Sequence, residues 1–297
     1  MGNRGRWGCS LLLLAALAGY VGLRLTARPA SQRSWFAPPG RPLVLAHQGG
    51  EGLFPCDTLE AFRGSLALGV DVLDLDVHLS QDEQLVVIHD ETVDRTTNAT
   101  GRVSEQSVAQ LQSYDAGYRF SPDGGRSFPF RGRGVRIPRL EEVLDLSPKI
   151  RVGIEIKPDN PEVARALAEL LRRRGEQDRV LVASFHHRVL TAFRQACPQA
   201  ATSASPWEMR QFLLLATFGQ EALFSPAFQA LQIPEEHKGR RLLTPSLVAA
   251  AHRRGLKVIP WTINREADMR RLLSWGVDGL NTDYPDRLLT VLLPVPR

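Results

Sequence analysis

From residue 43 to the C terminus, short apolar runs that suit β-strands alternate with amphipathic stretches of helical period. The alternation repeats about eight times in roughly 255 residues, which is the typical rhythm and size of a (β/α)8 barrel. A doubly wound open sheet is the alternative, but no glycine-rich phosphate loop follows any of the runs. We therefore predict an α/β protein with one (β/α)8 barrel over residues 43–297. The candidate strands are 43–46, 70–77, 85–88, 152–157, 180–185, 200–204, 230–233, 256–261 and 277–282.

Ionisable side chains lie within or just after several of these apolar runs. Asp74 and Asp76 share one face of their strand, and so do Glu155 and Lys157, because side chains alternate across a strand. Unpaired burial of three carboxylates would be very costly, so these acids require a cation or a counter-charge. The other polar or aromatic side chains at strand ends are His47, His89, Trp261 and Asp283. Barrels assemble active sites at the C-terminal ends of their strands, so the pattern predicts a divalent metal flanked by two histidines.

Several of these residues also have a structural interpretation. Asp74 and Asp76 could belong to a salt-bridged structural pair, and Glu155 and Lys157 could simply neutralise each other. Trp261 could be a platform for the substrate or an ordinary packing residue. Two histidines beside three acids favour catalysis over these structural roles.

The N-terminal region differs in composition from the rest of the chain. After a short basic N terminus at residues 1–6, residues 7–23 carry no charge and are rich in Leu and Ala. We predict a transmembrane or signal-anchor helix over residues 7–26, because such a run lies at the short edge of what spans a bilayer. A cleaved signal peptide is the alternative. Residues 27–42 are predicted to be a linker, and a single-pass anchor would place the barrel on the periplasmic or extracellular side.

The charge of the chain bears on its partners. A formal net charge of +5 and a pI of about 9.4 would suit a nucleic acid or an anionic membrane. No motif of a nucleic-acid-binding fold accompanies the charge, so we predict a membrane partner through the N-terminal helix and no nucleic-acid partner.

The three cysteines, Cys9, Cys56 and Cys197, cannot all pair, and their spacing matches no zinc motif.

Five short motifs occur in order along the chain. They are His-Gln-Gly-Gly at 47–50, Pro-Cys-Asp-Thr at 55–58, Asp-Leu-Asp-Val at 74–77 with Val-Val-Ile-His-Asp at 86–90, Ile-Glu-Ile-Lys at 154–157, and Thr-Asp-Tyr-Pro at 282–285. With these motifs the chain resembles the glycerophosphodiester phosphodiesterase family over nearly all of residues 43–289. The resemblance implies a barrel of the phosphodiesterase type that hydrolyses glycerophosphodiesters to sn-glycerol 3-phosphate and an alcohol, with bound Mg²⁺ or Ca²⁺.

The resemblance also implies roles for individual residues. The family's metal ligands fall on Asp74, Asp76 and Glu155. Its two acid/base histidines fall on His47 and His89, and its phosphate-contacting lysine falls on Lys157. Substrate contacts are also expected at Gln48 and Trp261, and the roles of Asp57 and Asp283 are left open.

The chain departs from the family pattern at four site positions. Gln48 replaces the usual arginine, Cys56 and Asp57 replace the usual Glu-Asn pair, and Asp74 replaces the usual glutamate. We expect these changes to bear on metal preference, rate and substrate more than on the fold. Two alternatives therefore stand beside the hydrolysis of water-soluble glycerophosphodiesters. One is lysophospholipase D activity on lysophospholipids, and the other is a catalytically impaired protein that binds lipid headgroups.

Overall fold

Eight parallel strands surround a common axis in the computed structural model, which describes residues 18–36 and 40–293. The strands in chain order are β1 (Leu43–Ala46), β2 (Val72–Leu79), β3 (Leu85–Val87), β4 (Arg151–Ile156), β5 (Val180–Ala183), β6 (Ala201–Thr202), β7 (Ala230–Pro234), β8 (Glu236–His237), β9 (Arg240–Arg241), β10 (Lys257–Trp261) and β11 (Gly279–Thr282). The eight barrel strands are β1, β2, β4, β5, β6, β7, β10 and β11. All of the predicted strands except 85–88 are barrel strands, with ends that differ by up to two residues.

Backbone hydrogen bonds close these strands into a ring. One sheet has the order β11-β1-β2-β4-β5-β6, and β7 pairs with β10 in a second parallel sheet. A bridge between Ser203 and Ala230 joins β6 to β7. On the other side, the amide of Asp278 donates to the carbonyl of Val258 at 2.9 Å, which joins β10 to β11. The predicted (β/α)8 architecture is therefore confirmed.

The strand β3 is an exception to the predicted pattern. Residues 85–88 were expected to be one of the barrel strands, but β3 runs antiparallel to β2, with Val77 opposite Val87. The reason is the short connection, in which the amide of Ser80 donates to the carbonyl of Gln84 at 3.0 Å. A connection of this length can form only a hairpin, because a parallel crossover needs a dozen or more residues. The hairpin nevertheless places the residues after β3 beside the end of β2.

Helices occupy most of the segments between barrel strands. Several begin at a side chain that caps free backbone N–H groups, as where the Thr58 hydroxyl accepts from the amide of Ala61. The helices are α1 (18–26), α2 (Leu59–Leu68), α3 (Val108–Gln112), α4 (Leu140–Leu144), α5 (Pro161–Arg174), α6 (His187–Ala196), α7 (Pro206–Thr217), α8 (Pro245–Arg253), α9 (Glu266–Ser274) and α10 (Pro285–Leu292).

The two faces of the strands contribute to different parts of the core. Val44 and Ala46 of β1 join a large cluster that includes the buried faces of the helices. Leu43 and Leu45 of the same strand belong to a second cluster inside the barrel, near the N-terminal ends of the strands. Trp35, which precedes the barrel in sequence, is 1% exposed and completes this second cluster. The described part of the predicted linker at 27–42 therefore packs against one end of the barrel.

The predicted membrane anchor needs correction. Within residues 18–36 and 40–293, no helix is both long enough and apolar enough to cross a bilayer. The described part of the predicted anchor is α1, at residues 18–26. This finding overturns the predicted transmembrane helix and the predicted single-pass membrane location. Residues 7–17 of the predicted helix lie outside the described residues, and the boundaries 1–6, 7–26, 27–42 and 43–297 stay predictions.

Candidate active site

A cavity of about 590 Å³ lies at the C-terminal ends of the barrel strands. This volume falls within the range of about 300–1,000 Å³ that is typical of small-molecule sites. The structure brings seven of the ten residues predicted from the sequence to its wall: His47, Asp74, Asp76, His89, Glu155, Lys157 and Trp261. The other three, Gln48, Asp57 and Asp283, do not line it.

The register of β2 against β4 brings the three predicted acids together. Asp76 lies directly opposite Glu155, and Asp74 lies opposite Gly153. A Cβ atom at position 153 would lie only 2.4 Å from Asp74 Oδ1, so the Asp74 carboxylate occupies space that a glycine leaves free. Lys157 Nζ lies 3.1 Å from Glu155 Oε1 and 3.5 Å from Asp76 Oδ1. The lysine thus neutralises only part of the negative charge of the cluster.

The pKa values of these groups reflect crowding of like charges away from water. Burial, with help from Asp76, raises the pKa of Asp74 to about 7, against the opposing effect of His47. Burial and Asp76 also raise the pKa of Glu155. Burial opposes the charge of Lys157, but Asp76 and Glu155 outweigh it and raise its pKa. A bound divalent cation would relieve the repulsion between these carboxylates, so the site fits such an ion.

His47 follows β1 and is held by a carboxylate from the far side of the ring. Its Nδ1 lies 2.7 Å from Oδ1 of Asp283, which accepts the proton and leaves Nε2 for the cavity. Asn264 donates from Nδ2 to Asp283 Oδ2 at 2.6 Å, which fixes the carboxylate in turn. Burial alone would lower the pKa of His47, but Asp283 and Asp74 outweigh it and raise the pKa to about 9. Asp283 therefore belongs to the site as a partner of His47.

His89 follows β3 and has the same kind of partner. Its Nδ1 lies 2.6 Å from Oδ1 of Asp90, so its Nε2 is likewise left for the cavity. Burial raises the pKa of Asp90, but hydrogen bonds from Arg95 and His89 outweigh this effect and lower it. The sequence analysis included Asp90 in the motif at 86–90 without giving it a role, and it missed Arg95, which lies five residues further on.

Gln48, which was expected to contact the substrate, and Asp57, whose role was left open, are buried in the loop that follows β1. Gln48 and Asp57 both have left-handed backbone conformations, with φ of 48° and 56°. The amide of Asp57 donates to the carbonyl of Gln48 at 2.9 Å, which closes the loop. Asp57 Oδ1 accepts from the amide of Asp76 at 3.4 Å, and burial raises the pKa of Asp57. These two residues thus stabilise the loop behind the acid cluster.

The opposite wall of the cavity is mostly apolar. Its main side chains are Phe185, Met209, Leu213, Ile233 and Leu242, together with Trp261. Phe185 and Trp261 are in edge-to-face contact with ring centroids 6.0 Å apart. The sequence analysis did not identify the α7 residues of this wall. The sequence analysis also missed Asn281, which contacts the acid cluster. Its Nδ2 donates to Asp74 Oδ2 at 2.7 Å. Like Asp74, Asn281 is a polar residue inside an apolar strand, so the signal that identified Asp74 was present for it too.

The ligand atoms that the structure brings closest together belong to a different set from the three predicted acids. Among the residues that the structure describes, His47, Glu51 and Asp283 offer ligand atoms that all lie within 4.8 Å of one another. The set includes His47, which lines the cavity with the three predicted acids. Carboxylate and imidazole donors for a divalent cation are thus present on this side of the cavity.

The fold and the cavity define a (β/α)8-barrel enzyme with an acidic site that contains two histidines. Residues 47–287 match the model of the glycerophosphoryl diester phosphodiesterase family, and the chain belongs to this family. The predicted family and enzyme class are therefore confirmed.

Three similar proteins illustrate the relationship. The chain is 34% identical over 259 residues to a glycerophosphodiester phosphodiesterase of Caldanaerobacter subterraneus subsp. tengcongensis, covering 85% of this chain and 98% of that protein. It is 26% identical over 267 residues to a lysophospholipase D of Homo sapiens, covering 82% of this chain and 84% of that protein. An Oleispira antarctica phosphodiesterase solved with the product sn-glycerol-3-phosphate has a TM-score of 0.70 and 25% identity, covering 88% of this chain and 99% of that one.

Proposed function

We propose that this protein hydrolyses glycerophosphodiesters to sn-glycerol 3-phosphate and an alcohol, with a divalent cation and two histidines. The observation that carries the proposal is one cavity lined by three acids, a lysine and two imidazoles that each have a carboxylate on Nδ1. Membership of the family and the product bound to the Oleispira antarctica relative support the choice of substrate.

The cation would be held by Asp74, Asp76 and Glu155. Hard carboxylate oxygens suit Mg²⁺ or Ca²⁺, and the raised pKa values of Asp74 and Glu155 fit a site that gains from added positive charge. When bound, the cation supplies Lewis-acid polarisation of the phosphoryl group. Asn281 orients Asp74 through its 2.7 Å hydrogen bond, and the absence of a side chain at Gly153 gives that carboxylate its space.

The remaining residues move protons and stabilise charge. Lys157 binds the phosphoryl oxygens, on which negative charge increases during displacement. One histidine accepts a proton at Nε2 from the attacking hydroxyl, which forms the new phosphorus–oxygen bond. The other donates a proton from Nε2 to the departing oxygen as the old bond breaks. The attacking hydroxyl belongs to water, or to the neighbouring glycerol carbon. In the second route the alcohol leaves as a cyclic phosphate forms, and water then opens the ring to give sn-glycerol 3-phosphate.

Release of glycerol 3-phosphate from glycerophosphocholine by the full chain tests this proposal, with EDTA, Mg²⁺ and Ca²⁺ in parallel. We expect turnover that EDTA removes and that one of the two cations restores, because the acid cluster would lose its counter-charge. Turnover that persists in EDTA would contradict the role of the cation. Binding of glycerophosphocholine without turnover in any cation would instead favour the headgroup-binding alternative.

A second candidate function, lysophospholipase D activity, is favoured by the apolar wall. Met209 and Leu213 of α7 and Phe185 after β5 line the cavity opposite the acids. A lysophospholipid has an acyl chain that can pack against these side chains, whereas a glycerophosphodiester without an acyl group does not. Each methylene group that leaves water gains about 0.8 kcal/mol. The similarity to the human lysophospholipase D is consistent with this candidate.

The substitution Leu213→Gln distinguishes activity on lysophospholipids from activity on glycerophosphodiesters without an acyl chain. We expect Leu213→Gln to lower kcat/KM for lysophosphatidylcholine by about 5- to 30-fold, because contact with one or two methylene groups is worth about 1–2 kcal/mol. Its activity on glycerophosphocholine should change by less than about twofold. Leu214→Gln is the matched control, since Leu214 is the next residue of α7, is 61% exposed and does not line the cavity. Equal losses on both substrates would contradict an acyl-binding wall.

A further inference from the structure

Arg95 connects the two loops that carry the histidines of the cavity. Its Nε donates to Asp90 Oδ2 at 2.7 Å and its Nη2 donates to Asp90 Oδ1 at 3.1 Å. Its Nη1 donates to Glu51 Oε1 at 3.1 Å. Glu51 lies in the loop after β1, where its amide donates to the carbonyl of His47 at 3.2 Å. One guanidinium thus joins the carboxylate partner of His89 to the segment that follows His47.

We propose that Arg95 is a positioning residue that holds His89 through Asp90. An arginine beside a phosphodiester site would ordinarily be assigned to the phosphate, because its planar fork binds phosphate oxygens in pairs. Arg95 does not line the cavity, and its donors are directed at Asp90, Glu51 and the Cys56 sulfur. Its paired hydrogen bonds prevent rotation of the Asp90 carboxylate. The carboxylate therefore keeps its oxygen on Nδ1 of His89 and keeps Nε2 toward the substrate.

Solvent exposure explains why the carboxylate partner of His89 is held by an ion pair, whereas that of His47 is not. The side chain of His89 is 37% exposed, whereas that of His47 is 22% exposed. Water competes more strongly for Asp90 than for Asp283, whose second oxygen is held by the neutral amide of Asn264. A bidentate ion pair resists that competition better than a single neutral hydrogen bond does. The inference rests on the proposed role of His89 in proton transfer.

Substitution of Arg95 tests the inference on the full chain. We expect Arg95→Gln to lower kcat for glycerophosphocholine by about 10- to 100-fold with KM within about twofold, because the substrate does not touch Arg95. Arg95→Lys should recover only part of the loss, since an ammonium group cannot form both hydrogen bonds to Asp90. Arg102→Gln is the matched control, because Arg102 is an exposed arginine nearby in the chain that pairs with Glu91. It should leave kcat unchanged.

A double-mutant comparison shows whether Arg95 acts through His89. In a His89→Ala background, Arg95→Gln should cause no further loss of kcat beyond about twofold, because the residue that Arg95 positions is gone. An equal loss in both backgrounds would overturn the inference, as would a raised KM with unchanged kcat. If Arg95→Gln does not fold, Asp90→Asn should give the same result. Failure of the proposed function is distinguishable, because the unmodified chain would then show no turnover at all.

Discussion

Alanine at either His47 or His89 is expected to lower kcat for glycerophosphocholine by about 10²- to 10⁴-fold, the usual contribution of a general acid or base. Both imidazoles line the cavity, and each has Nδ1 committed to a carboxylate at 2.7 Å or less. Only Nε2 is left to exchange a proton with the substrate. Steady-state release of glycerol 3-phosphate measures the effect. His252→Ala is the control, because that imidazole pairs with Asp278 outside the cavity.

A substrate with a better leaving group shows which histidine is the general acid and which is the general base. The p-nitrophenolate group departs without a proton, so the variant that lacks the general acid should keep most of its activity on a p-nitrophenyl ester of glycerol phosphate. The variant that lacks the general base should lose activity on both esters. Retention of activity within about fivefold by both variants on glycerophosphocholine would refute acid/base catalysis by these histidines.

Strand residues of the site could be predicted because the geometry of a strand leaves few choices. Asp74 and Asp76 are two residues apart in β2, so alternation places both on the face that lines the cavity. The same reasoning places Glu155 on that face of β4, where register sets it opposite Asp76. The antiparallel direction of β3 was also available from the sequence, because the seven residues between the runs 70–77 and 85–88 are too few for a crossover.

Other parts of the site could not be predicted in this way. An apolar residue of α7 such as Leu213 looks in sequence like any residue that faces the core, and only tertiary packing puts it on the cavity. Gln48 follows His47 directly, yet a left-handed backbone turns it into the loop. The partner of His89 is the next residue in the chain, but the partner of His47 comes from a distant segment. Asp283 reaches His47 from 236 positions away, and no periodicity within the chain connects them.

Trp35→Ala is expected to destabilise the whole barrel by about 3–5 kcal/mol, as is usual for removal of a buried aromatic side chain. Trp35 lies among Leu43, Leu45 and Val72 inside one end of the barrel, where truncation would leave a cavity. Its carbonyl also accepts from Arg151 Nε at 2.7 Å, which ties its turn to β4. Urea unfolding, followed at a wavelength that the remaining tryptophans report, measures the change.

Phe36→Ala is the control for the tryptophan substitution. Phe36 touches the Trp35 ring edge-on, with centroids 4.7 Å apart, but it is only partly buried, so its loss should cost distinctly less. A change of less than about 1 kcal/mol for Trp35→Ala would show that residues 27–36 are not part of the barrel core. A loss of about 3–5 kcal/mol would instead show that the folded domain starts before residue 43. A domain that starts at residue 43 would lack Trp35, whose side chain fills one end of the barrel.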